Sequence, residues 1–159
     1  MKKSAPFGLI LLAGLFLLTS CTGSVNMGPT STPDPLLMTI GERTLWDFEN
    51  YRDEVNALAG SAADTSVEDL EPILHQMQML NGEINGYEYP LFAAKAHSAL
   101  SNFAWNTEQC YTSKYAEYLM ESSDQEMMVR PDDRCDQAQV YEETLDLYLQ
   151  ELKEINAAE

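Results

Sequence analysis

From about Leu36 onward, apolar side chains recur every three or four residues, which is the spacing of an amphipathic helix. The clearest pattern lies near the C-terminus and consists of Tyr141, Leu145, Tyr148, Leu152 and Ile155. No stretch alternates apolar and polar residues for long enough to indicate a β-strand. The pattern therefore predicts an all-α domain over residues 36–159.

Helix-breaking residues divide the first half of this domain into two predicted helices. The first spans about residues 42–59 and ends at Gly60. The second has two possible starts, because Pro72 is tolerated only in the first turn of a helix. Either the helix begins near Ser66, with Asp69 completing a capping box, and kinks, or it begins near Glu71. Its predicted end is the Asn81-Gly82 pair.

Two more helices are predicted in the second half. The third follows Tyr89-Pro90, extends to about Met120, and carries on its core face Phe92, Ala96, Ala99, Phe103 and Cys110. The fourth follows Pro131, with Asp132 or Asp133 as its N-cap. Trp46 and Trp105 are expected in the core. Amphipathic helices joined by short loops predict an antiparallel bundle of about four helices.

The N-terminus has the pattern of a targeting segment. Lys2 and Lys3 precede an apolar run, residues 7–18, which as a helix would cover only about 18 Å. The run ends in Leu18-Thr19-Ser20-Cys21, which resembles the lipobox of bacterial lipoprotein precursors. The resemblance covers the first 21 residues. It implies cleavage after residue 20, acylation of Cys21, and anchoring to the cell membrane or outer membrane on the extracytoplasmic face.

Residues 22–35 are rich in proline and small polar residues, and such a composition cannot bury a core. We therefore predict a lipidated cysteine and linker over residues 21–35, between a signal peptide of residues 1–20 and the helical domain. Fully extended, the fourteen residues after Cys21 would reach about 45 Å.

The charge of the chain narrows its range of partners. The sequence contains 26 acidic residues against nine lysines and arginines, for a net charge of −17. Removal of residues 1–20 takes away two lysines and no acid, so the processed chain would carry −19. This charge excludes nucleic acid as a partner. It favours a basic envelope protein or divalent cations.

Two cysteines remain in the predicted domain, Cys110 on the third helix and Cys135 in the first turn of the fourth. Export would place them in an oxidising compartment. The turn near residues 121–130 would bring the two helices side by side. We therefore predict a disulfide between them. Their spacing lacks the Cys-x-x-Cys pattern of redox or metal sites.

Only two histidines occur, His75 and His97. A hairpin about residues 82–88 would place them at similar heights on facing helices, with Glu71 one turn before His75. A metal site of these three residues is the alternative to ordinary interhelical hydrogen bonding. The Glu-x-x-His pattern of di-iron bundles is not present at either histidine.

The sequence contains no nucleophile elbow, phosphate-binding loop or His-Glu-x-x-His motif. We therefore expect no enzyme activity and no cofactor. The function predicted from the sequence is a membrane-anchored extracytoplasmic lipoprotein that acts as a non-catalytic binding or accessory module. The alternative is a carrier of a small ligand, haem or metal within the bundle, with His75 and His97 as ligands.

Overall fold

The computed structural model of this protein describes residues 36–120 and 131–158. These residues form four α-helices and two short 3-10 helices, and they contain no β-strand. The α-helices are α1, Ile40–Asp64; α2, Glu71–Gly86; α3, Ala94–Met120; and α4, Pro131–Ala157. The predicted all-α bundle of about four helices is confirmed.

Helix α1 begins at a capping box and is longer than predicted. The Thr39 hydroxyl accepts a hydrogen bond from the Glu42 N–H (3.2 Å), and the Glu42 carboxylate accepts one from the Thr39 N–H (2.8 Å). The predicted end at Gly60 is wrong. Ala62, near the end of the helix, is buried against apolar side chains of α2. We attribute the extension to this packing, since a single glycine costs only about 1 kcal/mol in a helix.

Pro72 lies in the first turn of α2, so the alternative in which the helix begins at Glu71 is confirmed. A 3-10 turn, Val67–Asp69, precedes this helix. The Ser66 hydroxyl donates a hydrogen bond to the Asp69 carboxylate (2.8 Å), but it caps no backbone N–H. The predicted capping box at this position is therefore wrong.

Helix α2 also continues beyond its predicted end, past Asn81 and Gly82 to Gly86. Asn81 is buried, and its amide donates hydrogen bonds to the Glu108 carboxylate and to the Ala104 carbonyl on α3. The side chain of Asn81, which the sequence pattern assigned to a turn, therefore forms hydrogen bonds with α3 instead. This is a tertiary contact, and no local signal reports it.

Helix α3 reaches Met120, the last residue described before residues 121–130, and a 3-10 turn, Leu91–Ala93, precedes it. Phe92 lies in this turn and is 46% exposed, so its predicted place on the core face is wrong. A 3-10 helix has three residues per turn, which rotates Phe92 away from the face that an α-helix would give it. Helix α4 begins at Pro131, so the predicted N-cap at Asp132 or Asp133 is wrong as well.

Contacts between helices show how their directions are related. Helices α1 and α4 are antiparallel. Arg52 on α1 pairs with Asp146 on α4, whereas Glu49, which is earlier on α1, pairs with Lys153, which is later on α4. The same reversal relates α2 to α3 and α3 to α4 through the pairs His97–Ile84, Asn81–Glu108, Cys110–Cys135 and Lys95–Glu151. Neighbours in sequence are therefore antiparallel.

The core is formed by all four helices. Its fully buried large side chains include Phe48 on α1, Ile84 on α2, Leu100 on α3, and Leu145 and Leu149 on α4. Of the stripe predicted on α4, Leu145 and Leu152 are buried, Tyr141 and Tyr148 pack against the core, and Ile155 is 42% exposed. The predicted core positions of the two tryptophans are wrong, since Trp46 is half-buried and Trp105 is 43% exposed.

The predicted signal peptide, Cys21 and the linker lie outside the described residues. Within residues 36–120 and 131–158, no helix has a stretch that is both long and apolar enough to cross a bilayer.

Candidate functional site

An open groove runs between α1 and α2. Its wider part has a volume of about 660 Å³ and is lined by Trp46, Asp47, Asn50, Tyr51, Asp53, Glu54, Ala57 and Glu83. We call this surface the acidic groove. A narrower extension shares Glu54, Ala57 and Glu83 and continues over the apolar side chains of Leu58 and Met79.

The acidic groove follows from the helical repeat of α1. Trp46, Asn50 and Glu54 are spaced four residues apart, so their side chains lie on one face of the helix. Asp47 and Tyr51 occupy the adjacent row on the same side. Glu83 projects from the opposite wall, on α2. The side chains are thus presented by two rigid helices.

Three carboxylates of the groove lie close enough to Tyr51 to affect its ionisation. Partial burial raises the pKa of Tyr51, and the negative charges of Glu83, Asp47 and Glu54 raise it further. The neutral phenol is therefore favoured well into the alkaline range. The same three charges create a negative potential at the ring, which would attract a cationic group to it.

The floor of the groove is held by a second tyrosine. The Tyr87 hydroxyl donates a hydrogen bond of 2.5 Å to the Asp47 carboxylate. Burial raises the pKa of Tyr87, and so do this hydrogen bond and the charge of Asp47. The Tyr87 ring also packs edge-on against Phe48 and Tyr51, with centroids 5.6 and 5.9 Å away. Asp47 is therefore fixed in place by a half-buried residue that packs against the core.

Within residues 36–120 and 131–158, a single ion pair reaches the groove, and it lies at the edge. Arg52 pairs with Asp53 at its edge (2.8 Å) and with Asp146 on α4 (3.0 Å). Helix α2 contains no lysine or arginine. Among the described residues, no ion pair involves Glu54 or Glu83. Two exposed carboxylates on facing helices thus remain available to an external cation.

The two histidines do not come together as the sequence pattern suggested. His75 is exposed on α2, whereas His97 is buried, with its Nε2 atom 2.8 Å from the Ile84 carbonyl oxygen. The register of α2 against α3 places His97 beside Ile84, which lies about 14 Å along the helix from His75. The prediction of similar heights is wrong because α2 extends to Gly86, which moves the hairpin turn towards α3.

The side chains beside His97 are aromatic rings and not metal ligands. Its ring stacks on Tyr89, with centroids 3.9 Å apart, and lies 5.9 Å from the ring of Phe48. Glu71 is exposed at the other end of α2. Across residues 36–120 and 131–158, no three histidine, cysteine or acidic side chains form a group that could hold a metal ion. The geometry therefore does not assemble the alternative site of His75, His97 and Glu71.

Cys110 and Cys135 lie at disulfide distance, with Cα atoms 4.9 Å apart. This is the pairing that the sequence predicted. Next to it, the Arg134 guanidinium lies over the Trp105 ring, 4.8 Å from its centroid, and donates a hydrogen bond to the Asn106 side chain (3.4 Å). These contacts attach the start of α4 to the middle of α3, on a different part of the bundle from the acidic groove.

Sequence reasoning missed the acidic groove. The four-residue spacing of Trp46, Asn50 and Glu54 was visible, and so was the absence of basic residues from α2. The sequence pattern instead predicts Trp46 in the core, because a large aromatic residue on a helix is most often buried. Finding the groove also requires knowing that Glu83 faces α1, and only the packing of the helices shows that.

No protein-family model matches this chain, and no curated protein or solved structure matches it either.

Proposed function

We propose that this protein is a lipid-anchored extracytoplasmic binding module whose acidic groove holds a basic segment of another cell-envelope protein. The observation that carries the proposal is the pair of carboxylates, Glu54 and Glu83, which line one groove from two neighbouring helices, beside aromatic side chains, and form no ion pair among the described residues. The lipobox resemblance at Cys21 supports the anchor, on the extracytoplasmic face of the cell membrane or outer membrane. The lack of a catalytic motif supports a non-catalytic role.

The shape and chemistry of the groove favour lysine or arginine side chains. The long apolar stem of either residue would pack on Trp46 or Tyr51, while its charged end would reach a carboxylate. The groove continues towards Met79, so it has room for more than one side chain. An extended segment with two basic residues would fit this arrangement.

A divalent cation is the other partner class that the net charge favours. Carboxylates that bind Ca²⁺ must converge at 2.3–2.6 Å from one point, and several oxygen ligands are required. Within the described residues, no group of three such side chains converges in this way. The geometry therefore favours a basic polypeptide segment over a metal ion.

The test is a binding titration with a synthetic peptide of alternating lysine and alanine residues. It uses Trp105→Phe as the background, so that the fluorescence reports Trp46 alone. We expect Glu54→Gln/Glu83→Gln to weaken binding about tenfold, because two charge-assisted contacts are lost. We also expect binding to weaken with added salt, since the groove is exposed. Removal of like charges should not lower stability, so loss of binding cannot be attributed to unfolding.

The matched control is Glu117→Gln/Asp136→Asn. It removes the same charge from exposed positions on α3 and α4, outside the groove. We expect this variant to bind the peptide within about twofold of the wild type, because distant charges are screened. Equal weakening by both variants would contradict the groove and leave only a general effect of net charge.

The anchor has a separate test. The full precursor is expressed in a bacterium that processes lipoproteins, and the membrane fraction is examined by mass spectrometry. We expect an acylated peptide that begins at Cys21, and we expect Cys21→Ser to abolish both the acylation and the membrane association. An unmodified Cys21 in the wild-type protein would contradict the anchor without affecting the groove.

A further inference from the structure

Large apolar side chains are exposed at one end of the bundle. Ile40 at the start of α1 is 73% exposed, Leu91 and Phe92 before α3 are 93% and 46% exposed, and Ile155 near the end of α4 is 42% exposed. We call these four residues the apolar end. Leu37, just before α1, is 84% exposed as well.

Contacts between the helices show that these residues share one end of the molecule. Gly41 at the start of α1 lies so close to Asn156 on α4 that a side chain at Gly41 would overlap the Asn156 amide. The turn before α3 also lies against the end of α4. Leu91 and Phe92 from the turn and Ile155 from α4 line the same depression. Apolar side chains from three helix ends are thus exposed at the same end of the bundle.

The chain enters the domain at this end. Leu36 is the first described residue, and fourteen residues separate it from Cys21. An anchor at Cys21 would keep this end within about 45 Å of the lipid. Such a tether gives the apolar end a high effective concentration at the membrane surface, so that weak contacts suffice for docking.

We propose that the apolar end docks on the surface of the lipid bilayer, so that the bundle stands on the membrane. This proposal rests on the lipid anchor of the proposed function. The side chains of Ile40, Leu91 and Phe92 enter the boundary between headgroups and acyl chains, as apolar side chains of interfacial helices do. Nearby, Lys95 pairs with Glu151 (3.7 Å) and Lys153 pairs with Glu49 (2.8 Å), so neither lysine is a free cation for lipid phosphate.

Docking in this orientation has a consequence for lipid composition. The net charge of the processed domain is strongly negative, and an anionic surface would repel it. Zwitterionic lipid is therefore the preferred surface. The acidic groove runs along the side of the bundle between α1 and α2, so it remains open to partners when the apolar end is docked.

The experiment uses the mature acylated lipoprotein in vesicles of zwitterionic phosphatidylcholine with brominated acyl chains, which quench nearby tryptophan. Leu91→Trp places a tryptophan at the apolar end, and Tyr118→Trp places one at the other end of α3. With the wild-type signal subtracted, we expect the emission of Leu91→Trp to be quenched at least about twofold more than that of Tyr118→Trp. Equal quenching of the two variants would overturn the docking.

Two further variants test the contacts themselves. Adding Ile40→Ser and Phe92→Ser to Leu91→Trp should lower the ratio of docked to undocked protein about tenfold, because two apolar side chains leave the bilayer. The matched control adds Val140→Ser and Leu147→Ser, which are exposed by 60% and 70% on the side of α4. We expect this control to leave quenching unchanged. An equal loss in both variants would overturn the proposal.

Flotation of the vesicles distinguishes failure of the anchor from failure of the docking. Protein that does not float with the vesicles has no anchor, which would overturn both the anchor and the docking. Protein that floats but shows no preferential quenching retains the anchor and overturns the docking alone. If the emission of Leu91→Trp shifts to the blue without vesicles as concentration rises, a second copy covers this end, and the bilayer proposal is overturned.

Discussion

Helices α3 and α4 are held together by close packing and by Cys110 and Cys135, whereas α1 and α2 meet along a groove lined with carboxylates. On the first side, Ala96 and Ala99 are buried on α3, and Leu145 and Leu149 are buried on α4. On the second side, Glu54 and Glu83 line the groove from facing helices, and neither forms an ion pair with another described residue. The comparison indicates that stability is concentrated in α3 and α4, and that the surface available for recognition lies on α1 and α2.

This division has a physical reason. A covalent link raises the free energy of the unfolded state by restricting the chain, and a dense core lowers the free energy of the folded state. Both leave little surface for a ligand. A groove of like charges raises that free energy slightly, and a bound cation relieves the repulsion. The packing of α3 and α4 can therefore offset the small loss of stability caused by the like charges between α1 and α2.

The largest expected effect compares the two sides by removing a leucine from each. Leu145 is fully buried, so Leu145→Ala should lower the free energy of unfolding by about 3–4 kcal/mol. Leu58 is half-buried beside the acidic groove, and Leu58→Ala should cost about 1 kcal/mol. Urea unfolding followed by circular dichroism measures both. Equal losses would contradict a difference in packing between the two sides.

The next effect concerns the cross-link. The two cysteines are 25 positions apart, and a disulfide that closes a loop of this length stabilises a protein by about 3 kcal/mol. We therefore expect Cys110→Ala/Cys135→Ala to lower the free energy of unfolding by that amount. Binding of the lysine peptide should stay within about twofold of the wild type, because the groove is formed by α1 and α2. A reduced wild-type sample should unfold like the double variant, and intact stability after reduction would contradict the prediction.

A smaller effect should come from the floor of the groove. Tyr87→Phe removes a hydrogen bond to a charged acceptor, Asp47, and should lower the free energy of unfolding by about 1–2 kcal/mol. Tyr141→Phe is the matched control, since Tyr141 is half-buried on α4, and it should change stability by less than about 0.5 kcal/mol. The measurement is again urea unfolding at neutral pH. Similar losses in both variants would contradict a specific role for the contact between Tyr87 and Asp47.

The smallest effect should appear only in alkaline solution. Burial and the neighbouring carboxylates raise the pKa of Tyr51 in the folded protein, whereas an unfolded tyrosine titrates near a pKa of about 10. Above that pH the unfolded chain loses a proton that the folded protein keeps, so stability falls as pH rises. We expect Tyr51→Phe to lose stability less steeply than the wild type between pH 9 and 11, as read from the urea midpoint. Parallel slopes would contradict the electrostatic description of the groove.

Much of the fold was predictable because helical periodicity is a local property. The stripe of Leu145 and Leu152 on α4 reports which face is buried, whatever it packs against. The ends of helices were predicted less well. Gly60 and Asn81 have the side chains of helix ends, but both lie inside helices that packing extends. Such extensions depend on neighbours that are distant in the sequence.

The site was predicted poorly for a related reason. A groove needs two walls, and the wall that contains Glu83 comes from a different helix from the one that contains Glu54. The metal site suggested by His75 and His97 depended on a hairpin register, which the extra turn of α2 changed. An error of a few residues at a helix end moves facing side chains by several ångströms, which exceeds the tolerance of any metal site.

The sequence by itself determined the number and approximate extent of the helices, the net charge, and the pairing of Cys110 with Cys135, because each depends on local pattern or simple counting. The tertiary structure decided that α1 and α2 enclose an acidic groove, that His97 bonds to the Ile84 carbonyl, and that apolar side chains gather where the chain enters the bundle. These features depend on the register and rotation of one helix against another, and side chains far apart in the sequence set both.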